Sequence, residues 1–219
     1  MKVIITGVTG MVGEGVLHQC TLDTAITEVL VLTRKPSGYA HPKVKDLLVP
    51  NFYDISALVS QLSGYDDCLF CLGTTSVGKS DEEFYKIAYT LTMSVANTLV
   101  KVNPAMTFCY ISGSGTDSTE KGLIAWARTK GKTENDLLKL PFKAIYNFRP
   151  GYLHPIAGLK NTLSMYKYVS WMYPFLRLIG PKYFSTLADL GKAMIYVSKH
   201  GYTKNTIEVA DINAIAKKV

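Results

Sequence analysis

Only four of the 219 residues are cysteine (Cys20, Cys68, Cys71 and Cys109) and four are histidine (His18, His41, His154 and His200). Thiols so few and scattered exclude the disulfide framework of a small secreted domain, and they set the expectation of a reducing cytoplasm. The histidines stand at no ligand spacing to one another, so no metal site is expected. No apolar run reaches the length of a membrane span, which argues against stable membrane insertion. A signal peptide is not expected either, because Met1-Lys2 leads into only four apolar or β-branched residues before Gly7. Internal repeats and low-complexity linkers are absent, so the chain reads as a single domain over residues 1–219. The formal charge of +7 is spread along the chain, with Lys217-Lys218 the only basic pair at a terminus. Nucleic-acid binders concentrate such charge on one face or tail, so no nucleic-acid partner is expected. The excess suits an anionic small molecule and general solubility.

The pattern that is present alternates strands and helices. Short apolar runs predict strands at Lys2–Thr6, Glu28–Thr33, Lys45–Val49, Cys68–Leu72, Thr107–Ser112 and Lys143–Arg149, with a last one near Thr206–Val209. Helical periodicity marks Met11–Leu22, Ile55–Leu62, Asp81–Val102, Lys130–Leu138 and Leu187–Lys199. Repeated βαβ units without polar alternation in the strands imply an α/β fold with a doubly wound parallel sheet, buried on both faces. The stretch Leu159–Gly180 breaks the pattern with Tyr166, Tyr168, Trp171, Tyr173 and Phe175. It reads as a small C-terminal helical and aromatic extension. Residues 159–185 could serve as a substrate lid or wall, as a membrane-surface or homodimer contact, or simply as a helix packed on the sheet's end.

The first strand runs directly into Gly7, Gly10 and Gly13, and a helix follows. Strand, glycine turn and helix in that order open a dinucleotide-binding unit. Gly7 permits the tight turn, Gly10 lets backbone N–H groups approach a pyrophosphate, and Gly13 lets helix and strand pack closely. The cradle is expected to comprise Gly7, Thr9, Gly10, Met11, Val12 and Gly13, with the phosphates at the positive end of the helix dipole. At the end of the second strand, where NAD would meet a carboxylate, stand Thr33, Arg34 and Lys35. A guanidinium there offers a planar fork for a 2′-phosphate, which favours NADP(H) over NAD(H); a solvated basic turn is the plain alternative. Asp54 is expected near the adenine edge, and Leu72, Gly73 and Thr74 after the fourth strand beside the ribose.

Other signals compete. Residues 73–80, GTTSVGKS, match the G-x-x-x-x-G-K-[ST] phosphate loop, in which Lys79 would reach phosphates and Ser80 would hold Mg²⁺. Against it stand the loop's place after the fourth strand, the carboxylates Asp81-Glu82-Glu83 beside it, and the lack of an aspartate in Thr107–Ser112 to hold the metal. Cys68 and Cys71 have C-x-x-C spacing, but residues three apart on a strand point to opposite faces. His154 follows the FRPG block close to where substrate would enter, and Arg149 ends a strand at the edge where ligands collect, with an ordinary strand stop and an ion-paired Arg149 as the plain alternative.

Five blocks in order, GVTGMVG at 7–13, CLGTT at 71–75, YISGSG at 110–115, KGKTE at 130–134 and FRPG at 148–151, resemble an atypical short-chain dehydrogenase/reductase. The resemblance covers roughly residues 1–155 and is nearest to the Tat-interacting oxidoreductase-like and bacterial epimerase-like groups. It implies a Rossmann fold, NADP(H), and an oxidoreductase or epimerase-like activity, by hydride transfer or epimerase-like redox, on a small carbonyl- or quinone-type substrate. It also implies a serine–tyrosine–lysine site, with Ser112 or Ser114 polarising the substrate and Lys130 holding the nicotinamide ribose. The tyrosine should precede the lysine by four positions, where this chain has Trp126. An indole N–H donates a hydrogen bond but is no acid near neutral pH. Tyr89, Tyr110 or Tyr152 could substitute, the acceptor could need little proton assistance, or the protein could bind NADP(H) without turnover as a regulatory or interaction protein.

Overall fold

The computed structural model describes residues 1–162, 180 and 182–219. Its centre is a seven-stranded sheet built of β1 (Lys2–Thr6), β2 (Glu28–Thr33), β3 (Val44–Leu48), β4 (Asp67–Phe70), β5 (Thr107–Ile111), β6 (Ala144–Arg149) and β9 (Thr206–Glu208). The strands lie in the order β3-β2-β1-β4-β5-β6-β9, and every neighbouring pair is parallel. Side chains of β1, β2 and β4 are almost all buried, as apolar strands covered on both faces must be. The edge strand β3 instead exposes Lys45 and Asp46, charges that discourage a further strand from pairing there.

Helices cover both faces. Against one lie α1 (Met11–Leu22), α6 (Leu187–His200) and α7 (Val209–Ala216), burying Val16, Leu17, Leu190, Met194, Ile212 and Ile215 on Ile5, Val31 and Phe148. Against the other lie α2 (Val59–Leu62), α4 (Thr92–Val102) and α5 (Ala125–Leu137), with Leu62, Val95, Leu99 and Leu137 on Ile4, Phe70 and Phe108. Cys68 belongs to the second cluster and Cys71 packs on the first, so the C-x-x-C pair does straddle the sheet.

Three stretches depart from the pattern read in the sequence. Helix α5 begins at Ala125, five residues ahead of Lys130, because Ile124 caps it with extended backbone and no side-chain hydrogen bond. No Ser, Thr, Asp or Asn marks that start. At Val209 the chain enters α7 instead of prolonging a strand, since Glu208 and Asp211 form a reciprocal capping box. A separate two-stranded parallel sheet pairs β7 (Tyr152–His154) with β8 (Phe184–Thr186). The five aromatic residues of the 159–180 segment lie outside the described residues.

The 81–102 helix forms as expected but in three parts, α3 (Asp81–Tyr85), a π turn at Lys86–Leu91, and α4. A π turn leaves a carbonyl without its usual i+4 partner. The Ala88 carbonyl accepts instead from Thr92 Oγ1 (3.0 Å), Thr133 Oγ1 (3.3 Å) and the Tyr110 hydroxyl (3.5 Å).

Candidate functional site

The sheet order reverses direction between β1 and β4, and ligands of open parallel sheets collect at the carboxyl ends of such a pair. Gly7 leaves β1 at φ +72°, and a Cβ there would stand 2.6 Å from the Cys71 carbonyl oxygen. Only glycine meets both conditions. The Leu72 N–H donates to Thr6 Oγ1 (3.0 Å), tying the loop after β4 to the end of β1. Gly10 caps α1 with extended backbone, no side-chain bond, and its own N–H donated to Gly7 O (3.0 Å). The N–H groups of Met11, Val12 and Gly13 therefore form the unspent first turn of a helix, a ready anion site. A Cβ at Gly10 would meet only Gly7 O, at 3.4 Å, so this side of the turn is open. Thr9 is exposed beside it. These features fit a dinucleotide pyrophosphate.

At the end of β2 the buried Thr33 donates its hydroxyl to the Lys35 carbonyl (2.6 Å), and the Ser37 N–H donates to Asp46 (2.7 Å). This small turn leaves Arg34 and Lys35 exposed at the carboxyl edge, with no carboxylate among residues 33–35. Asp54, in the loop after β3, accepts the Ser56 N–H (3.0 Å) and is exposed. Leu72 and Thr74 are half-buried and Gly73 is exposed.

The KGKTE block proves to be almost wholly inward-facing. Lys130, 7% exposed, donates to the Tyr110 hydroxyl (3.0 Å) and the Ile111 carbonyl (3.1 Å). Gly131 admits the 113–118 loop, since a Cβ would stand 1.8 Å from Asp117 O. Glu134, 1% exposed, accepts from Ser112 Oγ (2.5 Å) and from Arg149 Nε (2.9 Å) and Nη2. Arg149 also reaches Ser118 Oγ (2.5 Å) and Glu208 (3.2 Å). The partners of this network are 15 to 59 residues apart, so an ion pair at Arg149 is foreseeable from sequence but its partners are not. Ser112's single proton is thus engaged by a buried carboxylate, whereas Ser114 is exposed between Gly113 and Gly115. Trp126, half-buried in the first turn of α5, lies against Gly115, where a Cβ would be 3.5 Å from the indole.

The three alternative tyrosines stand in different surroundings. Tyr110 is fully buried. Tyr89 donates to Asp136 (2.7 Å), and burial with that carboxylate pushes its hydroxyl up to about 12. The Tyr152 ring lies tilted against Phe184 within the small sheet, their centroids 5.6 Å apart. His154 sits beside it in β7, and burial holds its imidazole below the ordinary value.

The 73–80 loop is not a phosphate cradle. Three of its N–H groups are spent internally: Val77 on Thr75 Oγ1 (3.1 Å), Lys79 on Ser76 O (3.2 Å), and Ser80 on Glu83 (2.9 Å). Ser80 and Glu83 form a capping box that closes the helix start with its own carboxylate. Among the described residues no cluster of three or more His, Cys, Asp or Glu could hold a metal, and no helix is long and apolar enough to cross a membrane.

At the opposite edge of the sheet, Asp67 is 2% exposed beneath Ser198 and Thr107. Burial raises its carboxyl to about 7, although hydrogen bonds from those two side chains pull it down. The folded protein therefore keeps a proton that the unfolded chain releases near pH 4. The corresponding stability is present in acid, declines as pH rises through 7, and is then level. Asp67→Asn is expected to gain on the order of 2–4 kcal/mol over wild type between pH 4.5 and 8. Urea unfolding at both pH values checks this, and a constant difference between the two proteins would refute it.

No family model matches the chain. It is similar to "Protein FMP52, mitochondrial" of Candida albicans, 28% identical over 213 residues, covering 92% of this chain and 89% of the relative. It is 26% identical over 171 residues to "Protein FMP52-1, mitochondrial" of Scheffersomyces stipitis, covering 75% and 74%. These relatives carry mitochondrial names, which overturns the cytoplasmic expectation: free thiols report a reducing setting, not a compartment. Among solved structures, the chain resembles a UDP-N-acetylglucosamine 4-epimerase from Bacillus cereus (TM-score 0.68, 21% identity, 94% of this chain and 78% of that one). It also resembles the Bordetella bronchiseptica enzyme WbmF in complex with NAD+ (0.65, 15%, 99% and 77%). A third is the Thermoplasma acidophilum aldohexose dehydrogenase (0.66, 13%, 94% and 90%). At such identities the likeness is one of fold: the chain has the Rossmann-like α/β architecture of dehydrogenase and epimerase structures.

Proposed function

We propose that the crevice between β1 and β4 binds NADP(H) and that the protein passes hydride between this cofactor and a small acceptor of carbonyl or quinone type. The carrying observation is the cradle of unspent α1 N–H groups over Gly7 and Gly13, with exposed Arg34 where NAD would require a carboxylate. Met11, Val12 and Gly13 hold the pyrophosphate, beside Thr9 and Gly10. Arg34 forks a 2′-phosphate with Lys35 and Thr33 behind it, Asp54 borders the adenine, and Leu72, Gly73 and Thr74 flank the ribose. Lys130 spends two of its donors on Tyr110 and Ile111 and offers the third to the nicotinamide ribose. When bound, the nicotinamide supplies or accepts the hydride.

The proton side narrows the acceptor. A positioned general acid contributes ~10²–10⁴-fold in such reactions, and among the described residues we assign none to this site. Trp126 and Ser114 can donate hydrogen bonds to an oxygen but do not give up a proton near neutral pH. That favours acceptors whose reduced oxygen is a stable anion, a phenol-like group with pKa about 10, which later takes its proton from water. Quinones meet this condition and simple ketones do not. The same lack of an acid supports one other reading, NADP(H) binding without turnover. The names of the curated relatives support a mitochondrial setting.

NADPH oxidation with matched quinone and ketone panels tests the reading: turnover is expected with quinones, and tight NADPH binding without turnover anywhere would leave the binding-only function. Arg34→Ala is expected to weaken NADPH binding about 10–100-fold, the worth of a charged hydrogen bond, while NADH binding changes little. Equal losses would remove Arg34 from the site.

A further inference from the structure

Glu14 follows the third glycine of the cradle, in the first turn of α1, and is only 4% exposed. A carboxylate so deeply buried must be hydrogen-bonded to be tolerated. Its partners are neither phosphate-side groups nor basic side chains. One oxygen accepts the backbone N–H of Lys160 (2.9 Å) and the other that of Asn161 (2.7 Å), 146 and 147 residues away. Two consecutive backbone N–H groups on two carboxylate oxygens make a clasp in which each oxygen accepts one charge-assisted bond.

The clasped segment belongs to a small wall of chain that packs beside α1. It follows β7, which leaves β6 through Gly151, where a Cβ would stand 2.4 Å from Tyr183 O. β7 pairs with β8, and β8 leads into Leu187 of α6. Leu187 returns to α1 at the residue after Glu14, since a Cβ on Gly15 would lie 3.1 Å from its side chain. The first turn of α1 thus presents the N–H groups of Met11, Val12 and Gly13 to the cradle and grips the β7–β8 wall through Glu14 and Gly15.

We propose that Glu14 is a positioning residue that couples occupancy of the cradle to the seating of the β7–β8 wall. An anion drawn onto the end of α1 fixes that turn, and the turn cannot shift without carrying residues 160 and 161. By linkage, a wall held in place favours the anion in return. The coupling rests on the NADP(H) reading for its ligand, whereas the clasp itself is made of protein atoms alone.

Hydrogen exchange tests both parts. In wild type the Lys160 and Asn161 amides are expected to be protected and to exchange at least fivefold more slowly with saturating NADPH. In Glu14→Gln, whose amide can accept only one of the two N–H groups, they should exchange at least tenfold faster, with β5 amides unchanged, and NADPH should no longer slow them. Trypsin cleavage after the exposed Lys160 should rise in parallel. Wild-type rates at these amides in a folded Glu14→Gln that binds NADPH would overturn the clasp alone. Equal slowing by NADPH in both proteins would overturn the coupling. Failure of NADPH to bind wild type would overturn the coupling together with the cofactor reading. The wild-type measurement needs no variant, so a Glu14→Gln that does not fold leaves the coupling open to refutation.

Discussion

Gly13→Ala is expected to weaken NADPH binding by at least 100-fold and to destabilise the fold by about 2–4 kcal/mol, the range for a strained, overpacked site. A Cβ at residue 13 would stand 2.2 Å from Gly7 O, 2.4 Å from Gly7 C and 2.8 Å from Val8 N. All three are backbone atoms, so no side chain can swing aside. Gly7 cannot retreat either, because it is already pressed on the Cys71–Leu72 peptide, whose atoms lie 2.6–2.7 Å from its own ideal Cβ position. The turn must open, and the Met11, Val12 and Gly13 donors disperse with it. Gly10→Ala provides the contrast, since its methyl would meet only Gly7 O at 3.4 Å. It should cost about 1 kcal/mol or less in stability and still weaken NADPH by intruding on the open side of the cradle. Fluorescence titration with NADPH and urea unfolding separate the two. A Gly13→Ala protein binding within a few-fold of wild type would show that the phosphates lie elsewhere.

Glu134→Ala is expected to cost about 3–5 kcal/mol, the usual result of stranding one partner of a buried ion pair. The carboxylate is 1% exposed and takes bonds from two guanidinium nitrogens and the Ser112 hydroxyl. Without it, among the described residues Arg149 keeps only the half-exposed Glu208 as its ionic partner. The same carboxylate holds the Arg149 pKa above its ordinary value. Replacing both residues by apolar ones, as in Glu134→Leu/Arg149→Met, should be much milder, because no charge is then left uncompensated. Urea unfolding of the single and double variants checks this. A single variant losing under 1 kcal/mol would mean the pair behaves as if solvated. The larger loss should also loosen residues 112–118, which Ser112 and Ser118 tie to this network.

How far the sequence was legible depended on how local the physics was. The GVTGMVG turn reads directly because its glycines answer clashes within seven residues or with the adjacent strand. The strands read well because their burial on both faces leaves almost no freedom in residue type. Helix α5 started earlier than its pattern indicated because Ile124 caps nothing. The misleading phosphate loop could have been unmasked from sequence, since Ser80 and Glu83 spell a capping box that consumes the groups a nucleotide would need. Glu14, Glu134 and Arg149 carried no such signal. Their partners are distant in the chain, and a glutamate beside a glycine loop looks like a solvated residue until the fold closes over it.

The π turn at Lys86–Leu91 has a bearing on how such a site changes over time. Its surplus residue advances everything that follows by about 100° around the helix axis, so α3 and α4 present faces chosen independently of one another. The α4 half keeps Val95, Ala96 and Leu99 against the sheet. The α3 half, which buries only Phe84, is released from that register. Substitutions at the exposed Asp81 and Glu82 of α3 and in the loop before it can therefore accumulate without repacking the interior, leaving the outer end of the helix free to adapt to new ligands while its inner end preserves the fold.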